Sequence, residues 1–484
     1  MAKKFIATIA LVLACLFAFV ACSGENYDFQ ALADTPDASA PVRSNGGVYV
    51  EKGNYSYFVN FAEDGLADNT FGEYHEGSIV RCKTADLFDS ERTIETVVPK
   101  IIYAYNPDSA GFYIYGDRIY YTTPNNQKDA QGIVQNNKLD FMMANLDGTG
   151  TQLVATVDNN EIEFRIIENN EKVYILYVDG ETIKRNDEDV EVTSLYQIDT
   201  ESKEKEVVES DIDTYVFDRV DGSKSIAYTK KAYKFDVTGK EVAITSYNVL
   251  KQYFAGTSEP KVVAEGKDES KIKYENMTVV ALKNDVVYFN VEGAVSAKKE
   301  FCKASNGNVT VLAQDTFSDI FVSANSNVIY AQKNSAIYKV EFENGNIKTF
   351  EKLCAEGSDI KFEYEDVANN RLYYSYQEDF KLVSIATNEG ISKKESAIYN
   401  STRVTWFAYD FATIDGKTAV LYFEDASGIK FINYLYVCVQ NGYDSDDKWS
   451  LTTKRLGLLS ETKQQYAIEE GDDTFAVEDF ASKQ

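Results

Sequence analysis

His75 is the single histidine in a chain of 484 residues, and it stands in the run Glu73-Tyr74-His75-Glu76-Gly77. One imidazole excludes zinc sites built on several histidines. Any Ser-His-Asp triad would have to pass through this residue, and an isolated histidine in a polar run reads first as a solvated side chain. The sequence holds no G-x-S-x-G elbow and no glycine-rich phosphate loop followed by lysine. Carboxylates are plentiful, 77 Asp and Glu in all, and two of them at the right separation suffice for glycosidic cleavage. Asp187, Glu188 and Asp189 are consecutive in one polar stretch and are candidates for such work or for partner contacts. Tyr74 and His75 are candidates for recognition on the same grounds. The run Gly442-Tyr443-Asp444-Ser445-Asp446-Asp447 offers oxygen ligands at a spacing partly suited to calcium. It lacks the central Gly and terminal Glu of an EF-type loop. No metal and no cofactor is nominated.

The other reactive group is a thiol near the start. Lys3 and Lys4 precede an apolar run, 5–20, interrupted only by Thr8, which stops at Ala21-Cys22-Ser23-Gly24. A short positive region, an apolar core and small residues at a cleavage point make a secretory signal, and the run is short of the roughly 20 apolar residues a spanning helix needs. Phe19-Val20-Ala21-Cys22 resembles the lipobox of bacterial lipoproteins. That resemblance implies acylation of Cys22 through its thiol and a mature chain that begins there. Phe19 departs from the usual aliphatic residue, and Cys15 is a second position that would leave an apolar stub on the mature chain. Ordinary secretion and an uncleaved anchor are the alternatives. Residues 23–45 are rich in Gly, Ser, Asp, Pro and Ala and predict a flexible tether.

Composition bounds the partners. The formal charge is −28, and loss of Lys3 and Lys4 makes it more negative. Such a surface repels nucleic acid, whose binding relies on Lys and Arg at phosphates. Cys82, Cys302, Cys354 and Cys438 lie in apolar strand patterns without metal-type spacing. Buried free thiols are the first reading, and a disulfide in an oxidising compartment the second.

These residues need a scaffold, and the chain repeats itself. The body holds most of the 34 Tyr and 28 Phe of a sequence with only 6 Pro. Short alternating runs recur without long helical stripes, which predicts an all-β fold. A tyrosine after a small or aliphatic residue recurs at 57, 120, 174, 228, 288, 330, 373 and 422, each just after a Gly, Asn, Asp or Ser turn signal such as Gly116-Asp117 or Asn369-Asn370. These types tolerate the positive φ of tight hairpins. An apolar run precedes most of these turns, and two more follow. Four strands per unit of roughly 40–60 residues is the β-propeller pattern. One such unit cannot cover both its faces, so neighbours must stack on each side.

Asp117-Arg118-Ile119-Tyr120-Tyr121-Thr122, with Met142-Met143-Ala144-Asn145-Leu146-Asp147-Gly148-Thr149-Gly150, resembles a repeat of bacterial tyrosine-rich propellers that are distantly similar to YWTD repeats of lipoprotein receptors. Asn370-Arg371-Leu372-Tyr373-Tyr374 is a second, partial match. The resemblance covers about one repeat. It implies the propeller fold and an extracytoplasmic setting, and it carries no catalytic residue.

The reading is therefore a signal peptide over 1–21, a lipidated tether over 22–45, a single propeller of eight four-stranded blades (seven as the alternative) over 46–460, and an acidic tail over 461–484 that either adds a closing strand or stays disordered. Long connections between second and third strands, 62–77, 123–137, 179–192 and 230–243, cluster at one end and predict a recognition face. The functional expectation is a recognition or assembly module, lipid-anchored outside the cytoplasm, whose partner is an envelope protein or glycan. The alternative is a carbohydrate-active hydrolase or lyase using carboxylates in the channel.

Overall fold

The computed structural model describes residues 31–60, 78–89, 92–98, 109, 111–125, 137–185, 188–218, 222–238, 241–268, 271–272, 276–292, 299–354, 360–376, 381–388, 396–400, 404–414, 416–425, 433–443, 449–460 and 465–471. Among them the chain is all-β. Seven main antiparallel sheets occupy 42–98, 112–157, 163–265, 276–313, 320–354, 360–400 and 404–471, and in each the strands follow sequence order. A two-stranded ribbon at 267–272 lies between the third and fourth.

The third sheet has seven strands because two four-stranded units share one. The first part of strand Lys205–Phe217 pairs with Glu188–Asp199, and the part from Ile212 pairs with Ser225–Thr238. Asp211, at φ 64°, marks the change of partner. An extra residue at such a point bends a strand and strengthens its twist. The described strands therefore form eight meanders, units 1 to 8, in the blade pattern of a β-propeller. Their innermost strands are Tyr49–Lys52, Phe112–Tyr115, Glu163–Asn169, the later half of Lys205–Phe217, Asn276–Lys283, Ile320–Val322, Ile360–Asp366 and Val404–Ile414.

The recurring tyrosines all lie on the second strand of a unit, and none of the eight is more than 9% exposed. Consecutive residues there are buried together, as in Tyr57-Phe58-Val59, Ile329-Tyr330-Ala331 and Leu372-Tyr373-Tyr374. Strand residues alternate between faces, so an unbroken buried run means that both faces are covered. The cover is the adjacent unit. Apolar clusters join unit 2 to 3, 3 to 4, 4 to 5, 5 to 6 and 6 to 7. Units 7 and 8 meet where the Tyr364 and Phe411 rings stack at 4.7 Å. A further cluster joins units 1 and 2 to Ala412, Ile414, Leu421 and Val437 of unit 8. At that seam the Tyr49 N–H donates to Asp410 Oδ2 at 3.3 Å. Gly47 allows the approach, because a Cβ there would overlap the Asp410 carboxylate.

The turns carry the expected chemistry with one shift of register. Asn284 and Asp285 sit at φ 51° and 62°, the two positive values of a type I′ hairpin. In unit 3 the strands close at the pair Asn169 and Lys172, so Asn170 and Glu171 are the central residues rather than Asn169 and Asn170.

Three expectations are corrected. The 179–192 stretch is not a loop: Lys172–Arg185 and Glu188–Asp199 continue as a hairpin to the pair Arg185 and Glu188. The 230–243 stretch likewise continues as a hairpin, Ser225–Thr238 with Glu241–Phe254, ending at Thr238 and Glu241. Cross-strand pairing over many residues overrides a polar composition that reads locally as loop. The segment expected as free tether is tied down from residue 31. Leu32 N donates to Asp147 O and Gly53 N to Pro41 O, Lys52 Nζ donates to Ala38 O and Ala40 O, and Val42–Arg43 pairs with Tyr49–Lys52. The exposed edge of an innermost strand supplies partners that a linker-like composition does not reveal. At the other end, Gln465–Gly471 pairs with Trp449–Ser460 as a fifth strand on the outer edge of unit 8.

Candidate functional site

The innermost strands of units 2 to 8, with 42–47 standing in front of unit 1, border one cavity of about 1040 Å³. That is the size of a small-molecule site, roughly 300–1,000 Å³. Segment 42–47 is held there by unit 2. Asn45 Oδ1 accepts from Ile114 N at 2.7 Å and Asn45 Nδ2 donates to Ile114 O at 3.1 Å. Gly46 and Gly47 continue the pairing with Phe112.

Among the described residues five carboxylates border the cavity: Asp218, buried beside Phe217, Asp319, which accepts from Ser318 Oγ at 3.0 Å, and three more that are held by protein donors. Glu365 accepts from Ser323 Oγ at 2.7 Å, Tyr330 OH at 2.9 Å and Ala324 N at 2.7 Å. Glu363 accepts from Ser375 Oγ at 2.9 Å. Asp410 accepts from Phe411 N at 2.8 Å besides Tyr49 N. The cations are placed differently. Lys283 Nζ donates to Val322 O at 2.6 Å and sits 5.0 Å from the centre of the Phe321 ring. No carboxylate among the described residues lies within ion-pair distance of it. Burial holds its ammonium below the ordinary lysine value, offset in part by Glu365 and Asp218. Arg165 lies 5.5 Å from the Phe217 ring centre, donates to Phe164 O at 2.7 Å and stands 3.7 Å from Glu163.

Beyond the sheets stand two arms. From Glu181 and Ala232 outward the two hairpins pair only with themselves, for about five residues per strand in the first and about seven in the second, which is roughly 16 and 23 Å of reach at about 3.3 Å per residue. Both arms join a second strand to a third. In a meander that end is opposite the turns joining first to second and third to fourth strands, where Pro41 and Leu32 are bound. The base of the first arm is fixed by Glu181, which accepts from Ser194 Oγ at 2.5 Å, Tyr196 OH at 2.9 Å and Ser210 Oγ at 3.1 Å. Those hydrogen bonds, Ser194 foremost, hold its carboxyl below the ordinary value. On the second arm the register pairs Phe235 with Ile244 and Val237 with Val242.

Of the residues singled out from sequence, Asp189 lies on the first arm, exposed and 3.3 Å from Lys184 Nζ. Cys22, Tyr74, His75, Asp187, Asp444, Asp446 and Asp447 lie outside the described residues. Cys82, Cys302 and Cys438 are buried and Cys354 half-buried, and burial pushes the Cys82 thiol up to about 12. Among the described residues no group of three His, Cys, Asp or Glu is placed to hold a metal ion, and no helix is long and apolar enough to cross a membrane. Sequence reasoning missed Lys283 and Arg165. A lysine at the end of an alternating strand carries no local sign that its strand is innermost.

No family model matches the chain, and no curated protein resembles it in sequence. Solved structures do resemble it in shape. One described as a eukaryotic initiation factor has 11% identity and a TM-score of 0.42, with 92% of each chain covered. The β-propeller domain of the Trilobed protease from Pyrococcus furiosus, said to have an open velcro topology, has 12% identity and a TM-score of 0.33 over 78% of this chain and 98% of that one. The oligogalacturonate lyase from Vibrio parahaemolyticus has 11% identity and a TM-score of 0.33 over 87% of this chain and 98% of that one. At such values none of these proteins lends its activity to this chain.

Proposed function

We propose that the eight units close as one eight-bladed propeller that is anchored through a lipid on Cys22 outside the cytoplasm and works as a non-catalytic recognition module, gripping a protein partner between its two arms. The observation that carries this reading is the second arm. A two-stranded ribbon by itself is marginal in water, and one with an apolar face is stable when that face is covered. Aromatic and aliphatic residues with few charges at the centre are what protein interfaces use. The first arm is acidic in sequence through 179–192 and supplies the charged counterpart, which steers a partner more than it holds it.

Orientation supports the same reading. The body is bound to its N-terminal segment at the end opposite the arms. Eight residues lie between Cys22 and Ala31, so the two are at most about 30 Å apart along extended chain. An acyl chain on Cys22 therefore keeps the turn end near the bilayer and points the arms away from it. The hydrolase alternative has less behind it, since Asp319, Glu363, Glu365 and Asp410, four of the five carboxylates described at the cavity, are engaged by protein donors.

The test compares the intact mature protein with a variant in which 232–247 is replaced by a two-residue turn, both used as bait in envelope extracts. The expected result is a partner retained by the intact protein and lost from the shortened one, with equal thermal stability of the two. Identical recovery by both defeats the arm reading. For the anchor, Cys22→Ser is expected to release the protein from the membrane fraction, and unchanged retention contradicts lipidation.

A further inference from the structure

The cavity holds a pattern that the arms do not explain. Going around the channel from unit 3 to unit 6, cations and rings alternate on four successive innermost strands: Arg165, Phe217, Lys283, Phe321. Each cation rests by the next ring, at 5.5 Å for Arg165 and Phe217 and at 5.0 Å for Lys283 and Phe321. On the opposite arc, units 7 and 8 present Tyr364 and Phe411, stacked at 4.7 Å with ring planes 12° apart. One arc of the channel thus carries Arg165 and Lys283, with Asp218 and Asp319 among them, and the other a flat aromatic surface.

We propose that this cavity is a binding site for a small ring-bearing carboxylate, a sugar acid or an aromatic acid, with Lys283 as the anchor for the anionic group and the Tyr364–Phe411 pair as the platform for the ring.

Three physical points support the assignment. An ammonium has three donors, and Lys283 spends one on Val322 O with no carboxylate within ion-pair distance among the described residues. Taking a cation out of water without a counter-charge is costly, and burial does depress its protonation. A ligand carboxylate restores what the protein leaves out. Second, Glu363, Glu365 and Asp410 accept from protein donors and are structural acceptors. Arg165 and Lys283 supply the positive charge of this arc, beside Asp218 and Asp319, in a chain whose formal charge is −28. Asp218 lies close enough to act on Lys283 electrostatically, and it favours a ligand with a single negative charge over a multiply charged one. Third, aromatic faces hold flat rings by stacking and apolar contact, and bare phosphate gains nothing from them.

The assignment does not depend on the arms or on the lipid. It is tested on the full mature chain by titration calorimetry with glucuronic, galacturonic and benzoic acids, each against its neutral counterpart (glucose, galactose, benzyl alcohol), and with inorganic phosphate. The expected result is at least one acid binding ten-fold or more tightly than its neutral counterpart and than phosphate. Lys283→Met, which keeps the aliphatic stem, should reduce that affinity at least ten-fold. Lys283→Gln serves if the Met variant is unstable, and Lys184→Met on the exposed arm should change nothing. Equal binding of acids and neutral counterparts, phosphate binding as tightly as the best acid, or full affinity in both Lys283 variants overturns the proposal.

Discussion

Tyr330 carries the fold at the scale of one residue. Its ring is buried and its hydroxyl crosses to the next unit to donate to Glu365 at 2.9 Å. Tyr288 reaches Ser326 O at 3.1 Å and Tyr373 reaches Gln440 Oε1 at 3.2 Å, each again in the following unit. The phenol does two jobs: the ring fills the space between neighbours and the hydroxyl fixes their relative height. Tyr330→Phe keeps the first and removes the second. A hydrogen bond to a charged group contributes about 1.5–3 kcal/mol, so the unfolding free energy should fall by about that amount, read as a lower urea midpoint at an unchanged slope; an unchanged midpoint would mean that the hydroxyl does not tie the units together. The role of the tyrosines was legible from their spacing and preceding turns. That of Lys283 was not, because its environment is made by Phe321 and Val322 of another unit.

Among elements, the shared strand Lys205–Phe217 welds units 3 and 4. Glu209 on that strand receives Lys230 and Lys251 of unit 4, the second at 2.5 Å. Tyr228 OH also donates to it, at 3.3 Å. Burial alone would raise the Glu209 carboxyl, but the two lysine hydrogen bonds outweigh it and hold the group below its ordinary value of 4.5. A depressed folded value means stability that is complete above pH 4.5 and lost as pH falls through the lower folded value. Urea midpoints measured from neutral pH downward should fall over that window in the native chain. In Glu209→Gln they should start lower and fall less steeply. Parallel curves for the two proteins would remove Glu209 from the acid response. The sequence predicted strands on each side of this junction but not their fusion, since a strand that changes partner at Asp211 looks the same along the chain as one that does not. The arms were misread for a related reason: Lys, Asp and Thr interleaved with Tyr, Phe and Val spell a two-sided hairpin only once the partner strand is in register.

For the whole molecule, the repeat predicted stacked units but could not say how the last meets the first. The strands of unit 1 and unit 8 stay in their own sheets, so among the described residues no exchanged strand ties the two ends together. The seam consists of apolar packing and of the Asp410 carboxylate set against Gly47 and the Tyr49 N–H. A single propeller requires that contact, and separate modules do not. The most direct measurement is a double-mutant cycle on unfolding free energy with Gly47→Ala and Asp410→Ala. Overpacking at a tight contact costs about 1–3 kcal/mol, and the account predicts that Gly47→Ala incurs such a cost in the native chain and little in the Asp410→Ala background, a coupling well above the roughly 0.3–0.5 kcal/mol within which distant sites add. Effects that simply add would mean that residues 363 positions apart do not touch, and the closed ring would be wrong.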